Sequence, residues 1–301
     1  MNRILKKLFA LAAFLVSAPS WAALNIFACE PEWAALAKEL AGPKASIYVA
    51  TTALQDPHRI EARPSLIARA RSADLVVCTG AELESGWMPL VQAQSGNGKI
   101  QRGAPGYFEA AGHVLLIEPP QRIDRSQGDV HAAGNPHVHL DPANVADIAL
   151  SLADRMAQID RGEAEQYRER AKSFLARWKE ATARWQKQGA PLKGLPVVVY
   201  HRDLSYLLRW LGLREVGALE PKPGLPPSAT HLSGLLEKLK ANPAKAVLRS
   251  AYSDPRAAQW LSERAGIPVV VLPYTVGGAE KTGDLFALYD STLAALLRVA
   301  Q

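Results

Sequence analysis

The sequence predicts an α/β protein of two doubly wound parallel-sheet lobes joined by a long rigid helix. Three observations carry this. Short apolar runs of strand length alternate with helical stripes through residues 24–117, and the same alternation returns over 196–299. Between them, residues 143–188 show almost no strand pattern and two long amphipathic stripes. At 301 residues, 48% hydrophobic and 21% charged, the chain has globular proportions and is long enough for two domains of ~100–200 residues each. Neither lobe needs a metal or a disulfide merely to fold, so any metal is functional.

In the first half, 24–28 reads as a short apolar strand. Residues 31–40 carry helical spacing through Trp33, Leu36, Ala37 and Leu40 and stop at Gly42-Pro43. Residues 46–50 are the next strand, and 64–71 a helix opening on Pro64. A buried-type strand over 74–80 follows, and 114–117 is a fourth. In the middle, Val145, Ile148, Leu152, Met156 and Ile159 form one helical stripe, broken at Gly162. Tyr167, Ala171, Phe174, Trp178 and Trp185 form the second, about 25 residues of helix or ~38 Å of stiff connector. The second half gives strands at 196–200, 215–219, 246–250 and 269–272, with helices at 204–211, 233–240, 256–265 and 285–299. Trp33, Trp178, Trp185, Trp210 and Trp260 sit in helical stripes and read as core.

The N-terminus carries Arg3, Lys6 and Lys7, an apolar run over 8–16, Pro19, and Ser20-Trp21-Ala22, with small residues suited to cleavage after Ala22. This reads as a secretory leader, which predicts an exported protein. The apolar run is about half the ~20 residues of a membrane span, and no other stretch is longer. Overall, 35 basic residues against 29 acidic give +6, and loss of the leader leaves 32 against 29, or +3, with both signs interspersed. Nucleic-acid binding therefore loses its main support. The expected divisions are leader 1–22, N-terminal lobe 23–160, connecting helix 161–190 and C-terminal lobe 191–301. Cys29 and Cys78 each end an apolar run; in an oxidising compartment they are either one disulfide or two buried thiols, and two cysteines are too few for a Cys-based metal site.

Seven histidines remain to be sorted. Taken singly, a loop histidine is more often a solvated or structural hydrogen-bonder than a ligand. His58 follows the 46–50 strand, His137 lies in Asn135-Pro136-His137-Val138-His139-Leu140-Asp141-Pro142, and His201 directly follows the strand over 196–200. Asp284 falls after another strand exit. Doubly wound lobes present their ligand sites beyond such exits, and three imidazoles with one carboxylate suit Zn²⁺.

Longer patterns surround these residues. Asp56-Pro57-His58 precedes Arg63-Pro64-Ser65; Gly80-x-x-Leu83-Glu84-x-x-Trp87 follows Ala73-Asp-Leu-Val-Val; Asn-Pro-His137 precedes Leu140-Asp-Pro142; and Tyr-His201 precedes Tyr206 and Leu211-Gly-Leu213. In this order and spacing, along essentially the whole mature chain, the sequence resembles the zinc and manganese solute-binding proteins of ABC importers, the ZnuA-like family. The resemblance implies a metal captured in the cleft between the lobes, with the long helix limiting closure. It implies His58, His137, His201 and Asp284 as ligands, Zn²⁺ as the transported ion, and a membrane permease with its ATPase as partners of a monomeric carrier. A metallochaperone is a further candidate partner. Manganese members tend to have a carboxylate where this chain has His201, and imidazole there favours the softer Zn²⁺. Affinity is then expected to fall as pH drops through the histidine range near ~6.5.

His139 stands where many relatives have an aromatic residue; if this piece is extended, its side chain and that of His137 point to opposite faces, making His139 a supporting or surface residue. The loop 128–134 occupies the place of a long His- and Asp-rich insertion in some zinc-binding members. Here it holds Asp129 and His131, with Asp124 just before it, and reads as an ordinary lid with a metal contact by His131 as the lesser reading. Glu30 suits either a cleft-facing or a turn position. Asp56 and Asp141 fit Asp-Pro turns, and Asp141 is a candidate for orienting the His137 loop. His113 and His231 read as structural. The rival reading is a secreted zinc hydrolase using His137-x-His139-x-Asp141; against it, Pro142 stands where the fuller motif has histidine, and no HExxH occurs.

Overall fold

The computed structural model describes residues 24–120 and 128–300. The expected leader with its cleavage point, and Asp124, lie outside them. The N-terminal lobe is a four-stranded parallel sheet in the order β2-β1-β3-β4, built from β1 (Leu24–Ala28), β2 (Ala45–Val49), β3 (Leu75–Cys78) and β4 (Tyr107–Glu109). The C-terminal lobe repeats the plan as β6-β5-β7-β8, from β5 (Pro196–Val199), β6 (Arg214–Ala218), β7 (Ala246–Ser250) and β8 (Val269–Leu272). Helices α1 (Pro31–Ala41), α2 (Pro64–Arg71) and α3 (Met88–Ser95) serve the first sheet, and α6 (Ser205–Leu211), α7 (Ala229–Ala241) and α8 (Pro255–Ala265) the second. Helices α4 (Pro142–Ile159), α5 (Ala164–Gly189) and α9 (Leu285–Leu297) bind the two together.

Period-two burial explains why the strands read as continuous apolar runs. On β1, Ile26 and Ala28 enter one core and Phe27 the opposite one, which Cys29 joins just beyond the strand; on β5, Val197 and Val199 likewise part from Val198. Each lobe thus has a private core on its outer face, while the inner faces share one continuous core with α1, α4, α5, α6 and α9. The 26 residues of α5 span about 39 Å and bury Tyr167, Ala171, Phe174, Trp178, Ala181 and Trp185. Trp178 meets Phe174 at 5.2 Å, and Trp185 stacks on Tyr289 of α9 at 4.8 Å.

Three sequence expectations are corrected. Residues 114–117 form no strand: the Ile117 N–H donates to the Tyr206 hydroxyl at 3.2 Å and its carbonyl accepts from Asn135, while the sheet edge is taken by the three-residue β4, too short to show a period. Helix α3 was not anticipated. Trp210 and Trp260 are half-buried rather than core. Cys29 and Cys78, at the ends of adjacent strands with Cα atoms 4.8 Å apart, form a disulfide. Among the described residues no helix is long and apolar enough to cross a membrane.

Candidate metal centre

His58, His137 and His201 arrive from three different loops and converge. Their ligand atoms all lie within 4.8 Å of one another, and their ring centroids stand 5.5–5.9 Å apart. His58 follows β2, its loop held by the Trp87 indole donating to the Pro57 carbonyl at 3.0 Å. His137 sits on a turn fixed by the Asn135 side chain, which accepts the His137 N–H at 3.0 Å, and the chain then makes a single 3₁₀ turn before α4. His201 is the second residue beyond β5, and its loop begins another 3₁₀ turn. The three therefore join the N-terminal lobe to the C-terminal lobe across the cleft. The cavity over His137 and His201 has a volume of about 640 Å³ and is open on one side.

Each imidazole has its Nδ1 already engaged. His58 Nδ1 lies 2.8 Å from Asp56 Oδ1, His137 Nδ1 lies 2.7 Å from the Tyr274 hydroxyl, and His201 Nδ1 lies 2.6 Å from Glu220 Oε2. With Nδ1–H donating to these oxygens, each ring keeps its lone pair on Nε2, the tautomer that binds a cation. Burial, and then the charges of His58, His201 and other rings nearby, hold His137 well below the usual histidine range. For His201 burial works the same way, but the hydrogen bond to Glu220 and the charges of Asp203 and Glu220 outweigh it and raise its pKa. Asp56 is lowered: burial opposes this, and the His58 hydrogen bond and charge prevail. At neutral pH the arrangement is a nest of rings beside carboxylates, suited to a divalent cation with nitrogen preference.

His131 reaches the edge of this cluster, beside His58, without joining the three mutually close ligand atoms. Its Nε2 lies 3.3 Å from His58 Nε2, and burial, with the His58 charge second, lowers its pKa to about 4, so that it too presents a neutral ring. Asp284, the carboxylate expected beside the three histidines, stands apart in this structure. It is exposed at the N-cap of α9, accepts the Ala287 N–H at 2.8 Å, and does not join the three-histidine group. The sequence signal behind it, a Gly-Asp ahead of an apolar run, is equally that of a helix cap.

His139 does not join the ligand atoms, although the segment is a 3₁₀ turn rather than extended. It is 1% exposed, with Nδ1 at 3.2 Å from Glu32 Oε1 and Nε2 at 2.9 Å from the Tyr274 carbonyl. Asp141 caps α4 through the Ala143 N–H at 3.0 Å and pairs with Arg209 at 2.9 Å. The His-x-His-x-Asp segment therefore points three ways and assembles no hydrolase centre. Glu30 is buried, 2% exposed, with Thr79 donating to it at 3.2 Å; burial and then the adjacent Glu84 raise its carboxyl well above the usual range, while burial lifts Glu84 to about 7. His113 stacks on Phe108, and His231 Nε2 lies 2.9 Å from the Ala218 carbonyl. Sequence reasoning missed Tyr274 and Glu220. Each lies just past a strand exit, so the exit rule that led to His58 and His201 also contained them, without a spacing to single them out.

Comparison with known proteins places the chain in a family. The profile of the family described as "Zinc-uptake complex component A periplasmic" matches residues 26–299. The metal ABC transporter substrate-binding lipoprotein ScbA of Streptococcus cristatus is 21% identical over 280 residues, covering 92% of this chain and 88% of the relative. The high-affinity zinc uptake system protein ZnuA of Bacillus subtilis is 21% identical over 260 residues (82% and 77%), and the manganese ABC transporter substrate-binding lipoprotein ScaA of Streptococcus gordonii 23% over 270 (89% and 84%). Among solved structures, a crystal structure of ZnuA superposes with TM-score 0.74 at 21% identity, covering 92% of this chain and 98% of that one. A Mn-bound periplasmic metal binding protein from Candidatus Liberibacter asiaticus gives 0.73 at 14% identity, covering 92% and 99%. With the profile spanning nearly all described residues and the two-lobe fold shared, this chain belongs to the ZnuA family of metal-binding, solute-binding proteins of ABC transporters.

Proposed function

We propose that this protein captures Zn²⁺ in the periplasm, as a monomer, and delivers it to the permease and ATPase of an ABC importer, catalysing no reaction itself. The carrying observation is the convergence of His58, His137 and His201 with every Nδ1 tied to an oxygen, leaving three Nε2 lone pairs for one cation. An imidazole set favours Zn²⁺ over Mn²⁺, which prefers oxygen. For the fourth position, the family resemblance implies Asp284, which must then leave its cap on α9. His131 stands nearer, beside His58, and must close on His137 and His201 to complete the shell. Two nitrogens bound at ~2.0–2.1 Å in a zinc tetrahedron stand about 3.3 Å apart, which is the His58–His131 separation of 3.3 Å. A closed four-donor shell leaves no position for substrate water, as carriage rather than catalysis requires.

The test is calorimetric titration of the stripped mature protein with Zn²⁺ and Mn²⁺, alongside its single variants. One tight zinc per chain and weak manganese are expected. His58→Ala, His137→Ala and His201→Ala should each weaken zinc binding at least ~100-fold, the scale on which even supporting partners of a metal site count. His139→Ala should cost much less; equal losses at His139 and His137 overturn the ligand set, and preferential manganese binding overturns the choice of metal.

A further inference from the structure

The turn that follows β3 is unusual. Gly80, Ala81 and Glu82 have φ of 77°, 47° and 69°, three left-handed residues in succession, two of which carry side chains. The surroundings hold them there. Glu84 turns its carboxylate back to accept the Thr79 N–H at 2.7 Å and the Gly80 N–H at 3.0 Å, the Leu83 N–H closes on the Gly80 carbonyl at 3.1 Å, and Ala111 donates to Thr79 at 2.8 Å. One side chain is thrown outward by this geometry: Glu82 is exposed, and its Oε2 accepts the Ala132 N–H at 2.7 Å. Ala132 is next to His131.

The loop 128–134 is thus fastened on both sides of the cleft. On the C-terminal side, the Asp129 N–H donates to the Pro223 carbonyl at 2.8 Å, and the same 220–224 loop is reached by Arg59, whose guanidinium donates to Gly224 at 3.0 Å. On the N-terminal side the fastening is Glu82. Between the two, His131 meets His58. We propose that Glu82 is a positioning residue for the metal: it holds loop 128–134 as a strap across the cleft mouth with His131 beside His58, from where the ring closes on a bound zinc as its fourth donor, and so sets how slowly zinc leaves. The proposal rests on the reading of His131 as a zinc donor.

Zinc release into excess chelator, followed by stopped flow on the loaded mature protein, tests it. Glu82→Ala should speed release about three- to tenfold, the value of one hydrogen bond to a charged group at a partly exposed site, with the association rate unchanged. Glu82→Gln, which keeps an acceptor, should release at the wild-type rate. Glu82→Gly separates positioning from mere support: glycine accepts the left-handed backbone, so the metal-free variant should melt at or above the wild-type temperature while still releasing zinc faster. In a His131→Ala background, Glu82→Ala should add nothing. Wild-type release from both Glu82→Ala and Glu82→Gly, with His131→Ala fast, sinks the strap and leaves the donor reading standing. Wild-type release from His131→Ala sinks the donor reading, and the strap with it.

Discussion

At the scale of single residues, the centre is prepared by what lies behind each imidazole. Two rings back onto carboxylates and one onto a phenol, so the three are tuned differently. Glu220 raises the pKa of His201 against the pull of burial, while burial lowers that of His137. Protons therefore occupy His201 before His137 as pH falls, and zinc must displace the proton on His201. The sign follows: affinity drops as pH decreases through the His201 titration. Glu220→Gln keeps an acceptor for Nδ1 but removes the charge that raises the pKa, so the drop should move to lower pH. Above it, affinity should weaken by ~10-fold because the ring becomes a poorer donor. Zinc titrations between pH 5 and 8 check this; an unmoved midpoint would show that Glu220 does not govern the ring.

Among elements, α5 and the turn after β3 do opposite kinds of work. Helix α5 is a packing device whose stripe of Tyr167, Phe174, Trp178 and Trp185 meets α9 edge-on and face-on. Trp178 also donates its indole N–H to the Pro142 carbonyl at 2.8 Å, fastening the start of α4, the helix that follows the His137 turn. Trp178→Ala should thus cost about 3–5 kcal/mol, seen as a thermal midpoint lower by roughly 6–15 °C. A loss below ~1 kcal/mol would mean that the helix is a tether rather than part of the core. The 80–82 turn, by contrast, accepts backbone strain to present one carboxylate.

For the molecule as a whole, the decisive feature is that the lobes do not own separate inner cores. A single apolar cluster runs from β1 and α1 through α4 and α5 to β5, β7 and α9. Hinged opening would expose it, at ~25 cal/mol for each Å² of apolar surface. Metal loading is therefore expected to rearrange loops such as 128–134 and the one ending at Asp284 rather than swing the lobes apart. Small-angle scattering of metal-free and zinc-loaded protein should give the same radius of gyration, and a clearly expanded metal-free form would refute a shared core.

The sequence alone determined the two lobes, the long helix and the placing of His58 and His201 beyond strand ends, because each is written in a local pattern: period-two and period-3.6 burial, and residues placed where parallel strands end; His137 lies on a turn far from any strand end and was marked by its Asn-Pro-His motif. Val114 to Ile117 shows the limit of that reading, since an apolar run is a strand only if a neighbouring edge is free, and β4 had taken it. Tertiary structure decided the partners of the rings, with Glu220 19 residues from His201 and Tyr274 137 residues from His137, spacings that no local pattern encodes. It also set where the two candidates for the fourth position stand. The sequence favours Asp284, with His131 the lesser reading, yet in the fold Asp284 is engaged at a helix end while His131 is carried across the cleft to within 3.3 Å of His58, outside the three-histidine group. Which donors share a cation depends on how loops from two sheets meet, and that is fixed by the packing of the whole chain.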